Sequence, residues 1–198
     1  MPNGTWFHGP QPDRVDRVVV SATEVTFQLL DGAQAAGQAA ELQALHAEVY
    51  PDDDPGRFAG RFRVQRRQPG FVLAEARSGG YLVGYAAGMP LRPATSWWRG
   101  LTAPLPEEIT AEHPGRTFAL VDLLVRASWR RQGIARTLHD LVLAGRPEER
   151  ATVTVRPAAT AAQQALRSWG WQRVGRTRDP DDPGSPVSDV LVISLPRR

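Results

Sequence analysis

The sequence predicts a mixed α/β fold, a central sheet covered by helices on both faces, and three observations carry that expectation. Apolar residues alternate along the chain between short strand-like runs and stretches spaced by three and four residues. The segments follow one another as β α α β β β α β α β β, so helices are interleaved with strands. Finally, 198 residues suffice for one well-packed core and are few for two. The expected organisation is an arm over 1–20 followed by a single domain over 21–198.

The arm begins with Pro, Gly and Asn and closes on "VDRVVVS", which reads as a loose segment leading to a short strand. "VTFQLL" (25–30) is a strand ended by Asp31 and Gly32. Ala39, Leu42, Leu45 and Val49 then recur at helical spacing within 33–50, and "PDDDPG" stops the pattern. A shorter helix is expected over "RFAGRFRVQRR" (57–67), where Phe58 and Phe62 lie four apart. "FVLAEAR" and "YLVGYAAGMPL" are strand runs separated by Ser78, Gly79 and Gly80, a hairpin pattern. The segment 92–116 holds too many prolines for a regular element and too many large apolar groups for an idle linker.

"TFALVDLLV" (117–125) is a continuous apolar run of the kind buried on both faces of a central strand, interrupted once, at Asp122. Beyond the turn that follows, Ile134, Leu138, Leu141 and Val142 mark one helix face ending near Gly145 and Pro147. "ATVTV" is the next strand. Pro157 stands where a helix starts well, and Ala158, Ala162, Ala165, Leu166 and Trp169 keep helical spacing to Gly170. "WQRVGRTR" and "DVLVISL" are the last two strands.

Composition narrows the functional classes. With 41% hydrophobic and 23% charged residues the chain reads as globular, and no apolar run is long enough to cross a bilayer. The N-terminus lacks the basic start and apolar stretch of a secretory signal, so a cytoplasmic location without membrane association is expected. The chain has no cysteine, which excludes a disulfide, a thiolate zinc site and a cysteine nucleophile, and no other metal site is expected. All 24 basic residues are arginine, so a lysine Schiff base is excluded as well. The arginines are spread among acids, without the aromatic-interleaved clustering of a nucleic-acid surface; no nucleic-acid partner is expected.

The chemistry concentrates at "RRQGIARTLHD" (130–140). A strand that runs through a glycine turn into a helix aims unpaired N–H groups and the positive end of the helix dipole at one point, which suits phosphate. Gly133 lets a ligand approach closely, Ala135 keeps the first helical turn small, and Arg130, Arg131 and Arg136 add positive charge. The Gly-Lys-Ser/Thr ending of a Walker loop is missing, as are the three spaced glycines of a dinucleotide fingerprint.

This strand, turn and helix resemble motif A of the GNAT superfamily of acyl-CoA-dependent N-acetyltransferases. Its Gln/Arg-x-x-Gly-x-Gly/Ala signature reads here Arg130-Arg131-Gln132-Gly133-Ile134-Ala135. The likeness extends through "TVRPAATAAQQALRSWGW" and through the whole order of elements from Val25 to Leu195. It implies a mostly antiparallel sheet and acetyl-CoA as acyl donor. Backbone N–H groups over 131–136 would hold the coenzyme pyrophosphate, with the Thr137 hydroxyl in reach. Leu124, Val125 and Arg126, ending the strand, would pair with the pantetheine arm in a gap left by a splayed "ATVTV" strand.

The implied reaction is direct attack of a neutral primary amine, on a small molecule or a peptide, upon the thioester carbonyl. It needs a proton acceptor, a backbone N–H near Val125 for the oxyanion, and a proton for the thiolate. Asp122 is the candidate acceptor, its pKa expected to rise on burial; a structural aspartate bonded to a loop is the other reading. Glu107, Glu108 and Glu112 are backups or surface charges. At the two positions where the family commonly carries an asparagine and a thiolate-protonating tyrosine, this chain has Ala159 and Leu166, leaving Tyr81, Tyr85, Ser168 or water for that role. Trp97 and Trp98 either wall the acceptor site or fill a satellite core, and Asp52, Asp53 and Asp54 either edge the cleft or cap a turn. Losing both family residues also keeps open a catalytically degraded acyl-CoA-binding sensor or subunit. A homodimer is equally left open.

Overall fold

The computed structural model describes residues 24–182 and 184–196, so the arm expected over 1–20 lies outside the described residues. The strands are β1 (Val25–Leu30), β2 (Val72–Ser78), β3 (Tyr81–Pro90), β4 (Thr117–Val125), β5 (Arg150–Val155), β6 (Gln172–Thr177) and β7 (Ser188–Ser194). The α-helices are α1 (Ala39–Val49), α2 (Pro55–Gln65), α3 (Glu107–Thr110), α4 (Ile134–Leu143) and α5 (Thr160–Ser168). One seven-stranded sheet runs β1-β2-β3-β4-β5-β7-β6, and every neighbouring pair is antiparallel except β4 and β5.

The hairpin at 78–81 forms as the glycine pair demands: Gly79 and Gly80 both have positive φ, the pattern of a tight two-residue turn. Two apolar layers sandwich the sheet. Leu42, Leu45, Phe58 and Phe62 of α1 and α2 pack with Leu73, Leu82, Tyr85 and Leu124 on one face. Ile134, Leu138 and Val142 of α4 and Leu166 of α5 pack with Val83, Phe118, Leu120 and Val153 on the other. Each of those α4 side chains contributes roughly 1.5–3 kcal/mol by leaving water, which makes tertiary burial the main support of so short a helix.

Three boundaries differ from the sequence reading, each for a local reason. The helix expected over 33–50 begins as a 3-10 turn at Gln34–Gln38, because the Asp31 carboxylate accepts from the N–H groups of Ala33 and Gln34 and tightens the entry. The second helix starts two residues earlier than expected, with Asp54 capping Gly56 N–H at 2.9 Å and Pro55 in the first turn. Pro157 precedes α5 in a turn, Ala159 N–H donating to Arg156 C=O at 3.0 Å, and the helix begins at Thr160. The proline-rich 92–116 segment contains only α3 and a bridge from Leu101 to Thr177. No described helix is long and apolar enough to cross a membrane.

Candidate active site

The site grows from the one parallel junction in the sheet. β4 and β5 pair only at Thr117 with Arg150, Phe118 with Ala151 and Ala119 with Thr152. Beyond that point β5 continues against β7 as far as Val155, while β4 continues against β3 as far as Val125. The two strands part, leaving a wedge open toward their C-terminal ends.

The main chain of β4 turns N–H and C=O groups toward that wedge. Val125 lies opposite Gly84, and Arg126 N–H donates to Val83 C=O at 2.9 Å, which makes Val125 and Gly84 a non-hydrogen-bonded pair. The N–H and C=O of Val125 therefore point away from β3 into the wedge, and those of Leu123, two residues back, do the same. Arg130 Nε already donates to the Val125 carbonyl at 3.1 Å. Leu124 faces the other way and buries its side chain under α1. Gly84 is required here: a Cβ would lie 2.8 Å from Leu124 C=O, so only glycine lets β3 lie this close to the end of β4, with Leu138 of α4 a further tight contact at 3.3 Å.

At the mouth of the wedge stands the turn into α4. Gly133, the N-cap, is left-handed at φ 81°, and Arg131 holds φ 66°, a conformation that a non-glycine residue seldom adopts. No side chain caps the helix, and its first internal bond is Thr137 N–H to Gly133 C=O at 3.0 Å. The N–H groups of the first turn are thus left without a side-chain cap, an arrangement that suits an anion. Ile134 anchors the first turn in the core, and exposed Gln132 reaches back to Ser128 C=O. Ala135 packs at the core's edge and Arg136 pairs with Asp140 at 2.6 Å, while the Thr137 hydroxyl donates to Gly133 C=O. Arg126 faces elsewhere. It bonds Leu82 C=O and Glu48 and covers the Tyr81 ring, pinning β4 to β3 and α1.

Asp122 lies on the opposite face, because a bulge between Ala87/Asp122 and Gly88/Leu120 shifts the alternation of β4. Its Oδ1 accepts from Arg61 Nη2 at 3.1 Å, and its side chain is only 7% exposed. Burial raises its pKa, and Arg61 offsets part of that rise. The Tyr85 hydroxyl, on the same face, is buried without a hydrogen-bond partner and is pushed to a higher pKa by burial and by Asp122. Leaving such a hydroxyl unpaired costs roughly 1–3 kcal/mol.

Arg61, Tyr50 and His46, absent from the sequence candidates, complete this face. The His46 ring lies 5.1 Å from Tyr50 and 4.5 Å from Phe58, and burial holds its pKa below the usual value. Asp53 links His46, at 3.8 Å, to Arg156 at the end of β5, at 3.2 Å. The only sequence signal for Arg61 was its place three residues after Phe58, flanking the apolar stripe of α2.

The remaining candidates are not brought to this point. Trp98 is buried with Leu91, Ala119 and Val190 in a satellite core that Trp97 also joins, and its Nε1 donates to Glu112. Glu112 is itself a buried structural carboxylate, paired with Arg150 at 3.0 Å and bonded by Thr117 at 2.8 Å. Glu107 and Glu108 are exposed on α3. Asp54 serves as a helix cap and Asp52 is exposed. Ser168 turns back onto Ala165 C=O. Leu166 is buried in the α4-side core and Ala159 is exposed.

Residues 37–171 match the model of the acetyltransferase (GNAT) family. No curated protein sequence matches the chain. Similar solved structures include an aminoglycoside 6'-acetyltransferase type Ii, at 14% identity and TM-score 0.63, with 87% of this chain and 99% of that one covered. Arabidopsis thaliana NAA60 in complex with a bisubstrate analogue gives 15% and 0.61, covering 88% and 100%. The diaminobutyrate acetyltransferase of Paenibacillus lautus, bound to its substrate and coenzyme A, gives 16% and 0.58, covering 87% and 96%. At these identities the likeness is one of fold.

Proposed function

Because the chain belongs to the acetyltransferase (GNAT) family, we propose that it transfers an acetyl group from acetyl-CoA to a primary amine of a small molecule or peptide. The observation that carries this reading is the wedge between β4 and β5 with an uncapped, left-handed helix start at its mouth. A diphosphate suits the converging N–H groups over 131–136, and an amide-bearing arm suits the outward N–H and C=O groups of Leu123 and Val125. The acceptor would approach from the α1/α2 face. There Asp122 keeps Oδ1 on Arg61, while Oδ2 carries no hydrogen bond among the described residues and is left to take the amine proton. The Val125 N–H is the donor placed to stabilise negative charge on the thioester oxygen. The nitrogen–carbon bond forms as the carbon–sulfur bond breaks, and the thiolate takes its proton from water, since Leu166 and Ala159 move none.

Burial of Leu166 in the core favours one alternative, a coenzyme-binding sensor without turnover. Two measurements separate the readings: the melting shift caused by acetyl-CoA, and thiol release against a panel of amines. A shift with turnover supports the enzyme. A shift with no release above hydrolysis supports the sensor, and no shift removes both.

A further inference from the structure

The charged groups on the acceptor face bear on what kind of amine would enter. Asp122 and Asp53 supply two negative charges, Arg61 and Arg156 two positive ones, and His46 is held neutral by burial. The inner cluster is balanced. Nothing in it offers the surplus of acid that a polycationic acceptor would need. The acidic groups around it, Asp52 and Asp54 beside Asp53 and Asp179 and Asp182 against Arg57, are exposed or about half exposed, where solvent screens them.

The two arginines stand on opposite sides of the wedge. Arg61 reaches over β4 from α2, and Arg156 ends β5 with its guanidinium 5.5 Å from the Tyr50 ring centre. Arg61 also stands 5.8 Å over the Phe58 ring, and the Phe58 and Tyr50 rings both contact His46, so the two guanidiniums flank one aromatic cluster. Each has spent one nitrogen on an aspartate; among the described residues their other donors carry no hydrogen bond, and both side chains are roughly half exposed. A planar guanidinium with free donors is the group that best matches a carboxylate. Near Arg61 and Asp122 the partnerless Tyr85 hydroxyl marks a depth at which a polar group or a water would be satisfied.

We propose that the acceptor is a zwitterion, an amino acid-like molecule whose carboxylate binds between Arg61 and Arg156 while its ammonium exchanges a proton with Asp122. The proposal rests on the acetyltransferase reading above and narrows its acceptor. Such a molecule is neutral overall and presents one charge of each sign, so its carboxylate takes the free arginine donors and its amine the open side of Asp122 while the existing ion pairs stay in place.

The test is thiol release from acetyl-CoA with a series of amino acids, each beside its amide and its decarboxylated amine, and with a polyamine. For the best amino acid, kcat/KM is expected to exceed that of its amide at least tenfold. In Arg156→Gln, a change at a half-exposed position that spares the fold, the ratio of acid to amide should fall toward one, chiefly through KM. Equal use of acid and amide, preference for the polyamine, or an unchanged ratio in Arg156→Gln would overturn the zwitterion. If acetyl-CoA shifts melting and no amine turns over, added amino acid should still raise the melting temperature of the coenzyme complex; no rise would also overturn it. Absence of the acetyl-CoA shift itself defeats the underlying reading instead.

Discussion

A methyl group at Gly133 separates the two things that this glycine does. A Cβ built there meets nothing within 4 Å, so replacement by alanine disturbs no packing, and only the backbone at φ 81° objects. A left-handed alanine costs about 1–2 kcal/mol. In a domain of this size each kcal/mol moves the melting temperature by about 2–4 °C, so Gly133→Ala should melt about 2–8 °C lower without ligand. Gly133→Asn should lose less, because asparagine tolerates that region. The empty space that makes the substitution sterically free in the unliganded protein is the space from which a diphosphate would approach the helix start. In wild type, acetyl-CoA at a hundred times its Kd should add about 2.7 kcal/mol, a rise of about 5–11 °C by the same scaling. Both variants should lose most of that rise at the same concentration, although the asparagine variant is nearly as stable as wild type. Differential scanning fluorimetry with and without acetyl-CoA reads both quantities. A full coenzyme shift in Gly133→Asn would refute the placement of the diphosphate.

Asp122→Asn should lower turnover by about 10²–10⁴-fold, the range of a lost general base, and keep the acetyl-CoA melting shift. Since burial raises the Asp122 pKa, the acid limb of the wild-type rate should lie above the ordinary carboxylate range; undiminished turnover removes Asp122 from the reaction. His139 accepts from Trp171 Nε1 at 2.9 Å through Nε2, and burial holds its pKa low. The folded protein therefore binds fewer protons there than the unfolded chain does. Its contribution is complete above the unperturbed pKa of about 6.5 and is lost as pH falls toward the folded value. Melting temperatures taken from pH 7.5 to 5.5 should decline more steeply in wild type than in His139→Gln, and parallel curves would contradict this. Glu112→Ala should destabilise by about 3–5 kcal/mol in denaturant titrations, because Arg150 is left buried without its partner. A loss within 0.5 kcal/mol, the range of ordinary surface changes, would show the pair to be dispensable.

Legibility in the sequence followed how local each determinant is. The bounds of β4 coincide with an apolar run, and the α4 stripe with Ile134, Leu138 and Val142, because burial on a sheet or helix face imposes a period that one segment carries alone. Gly133 was legible as a glycine between a strand and a helix start, and its φ of 81° is what the structure adds. The left-handed Arg131 was not, because nothing in an arginine announces the conformation that its neighbours force on it. The parting of β4 from β5 entered through family resemblance, as no residue type marks the end of a ladder. Trp97 and Trp98 gave a strong local signal of order and none of destination; the Glu112 and Arg150 pair that fixes Trp98 spans 38 residues. The Arg61–Asp122 contact spans 61 residues and depends on the bulge that turns Asp122 toward α2.

The same division runs through the site itself and is testable. The proposed coenzyme side is made of main chain, so its shape depends on φ at two residues and on where a ladder stops; side-chain changes that spare those features should leave it intact. The proposed acceptor side is made of side chains from α1, the loop after it, α2, β4 and the end of β5, so one substitution should change its preference. Arg156 belongs wholly to the second group, as its contacts are Asp53 and Tyr50. Arg156→Gln should therefore retain the full acetyl-CoA melting shift. Combined with Gly133→Ala, its effect on unliganded stability should add to within about 0.5 kcal/mol, as sites without shared partners do. If Arg156→Gln alone abolished the coenzyme shift, or the double variant departed from additivity by more than 1 kcal/mol, the two sides would share a determinant, and a main-chain cradle could not by itself account for coenzyme binding.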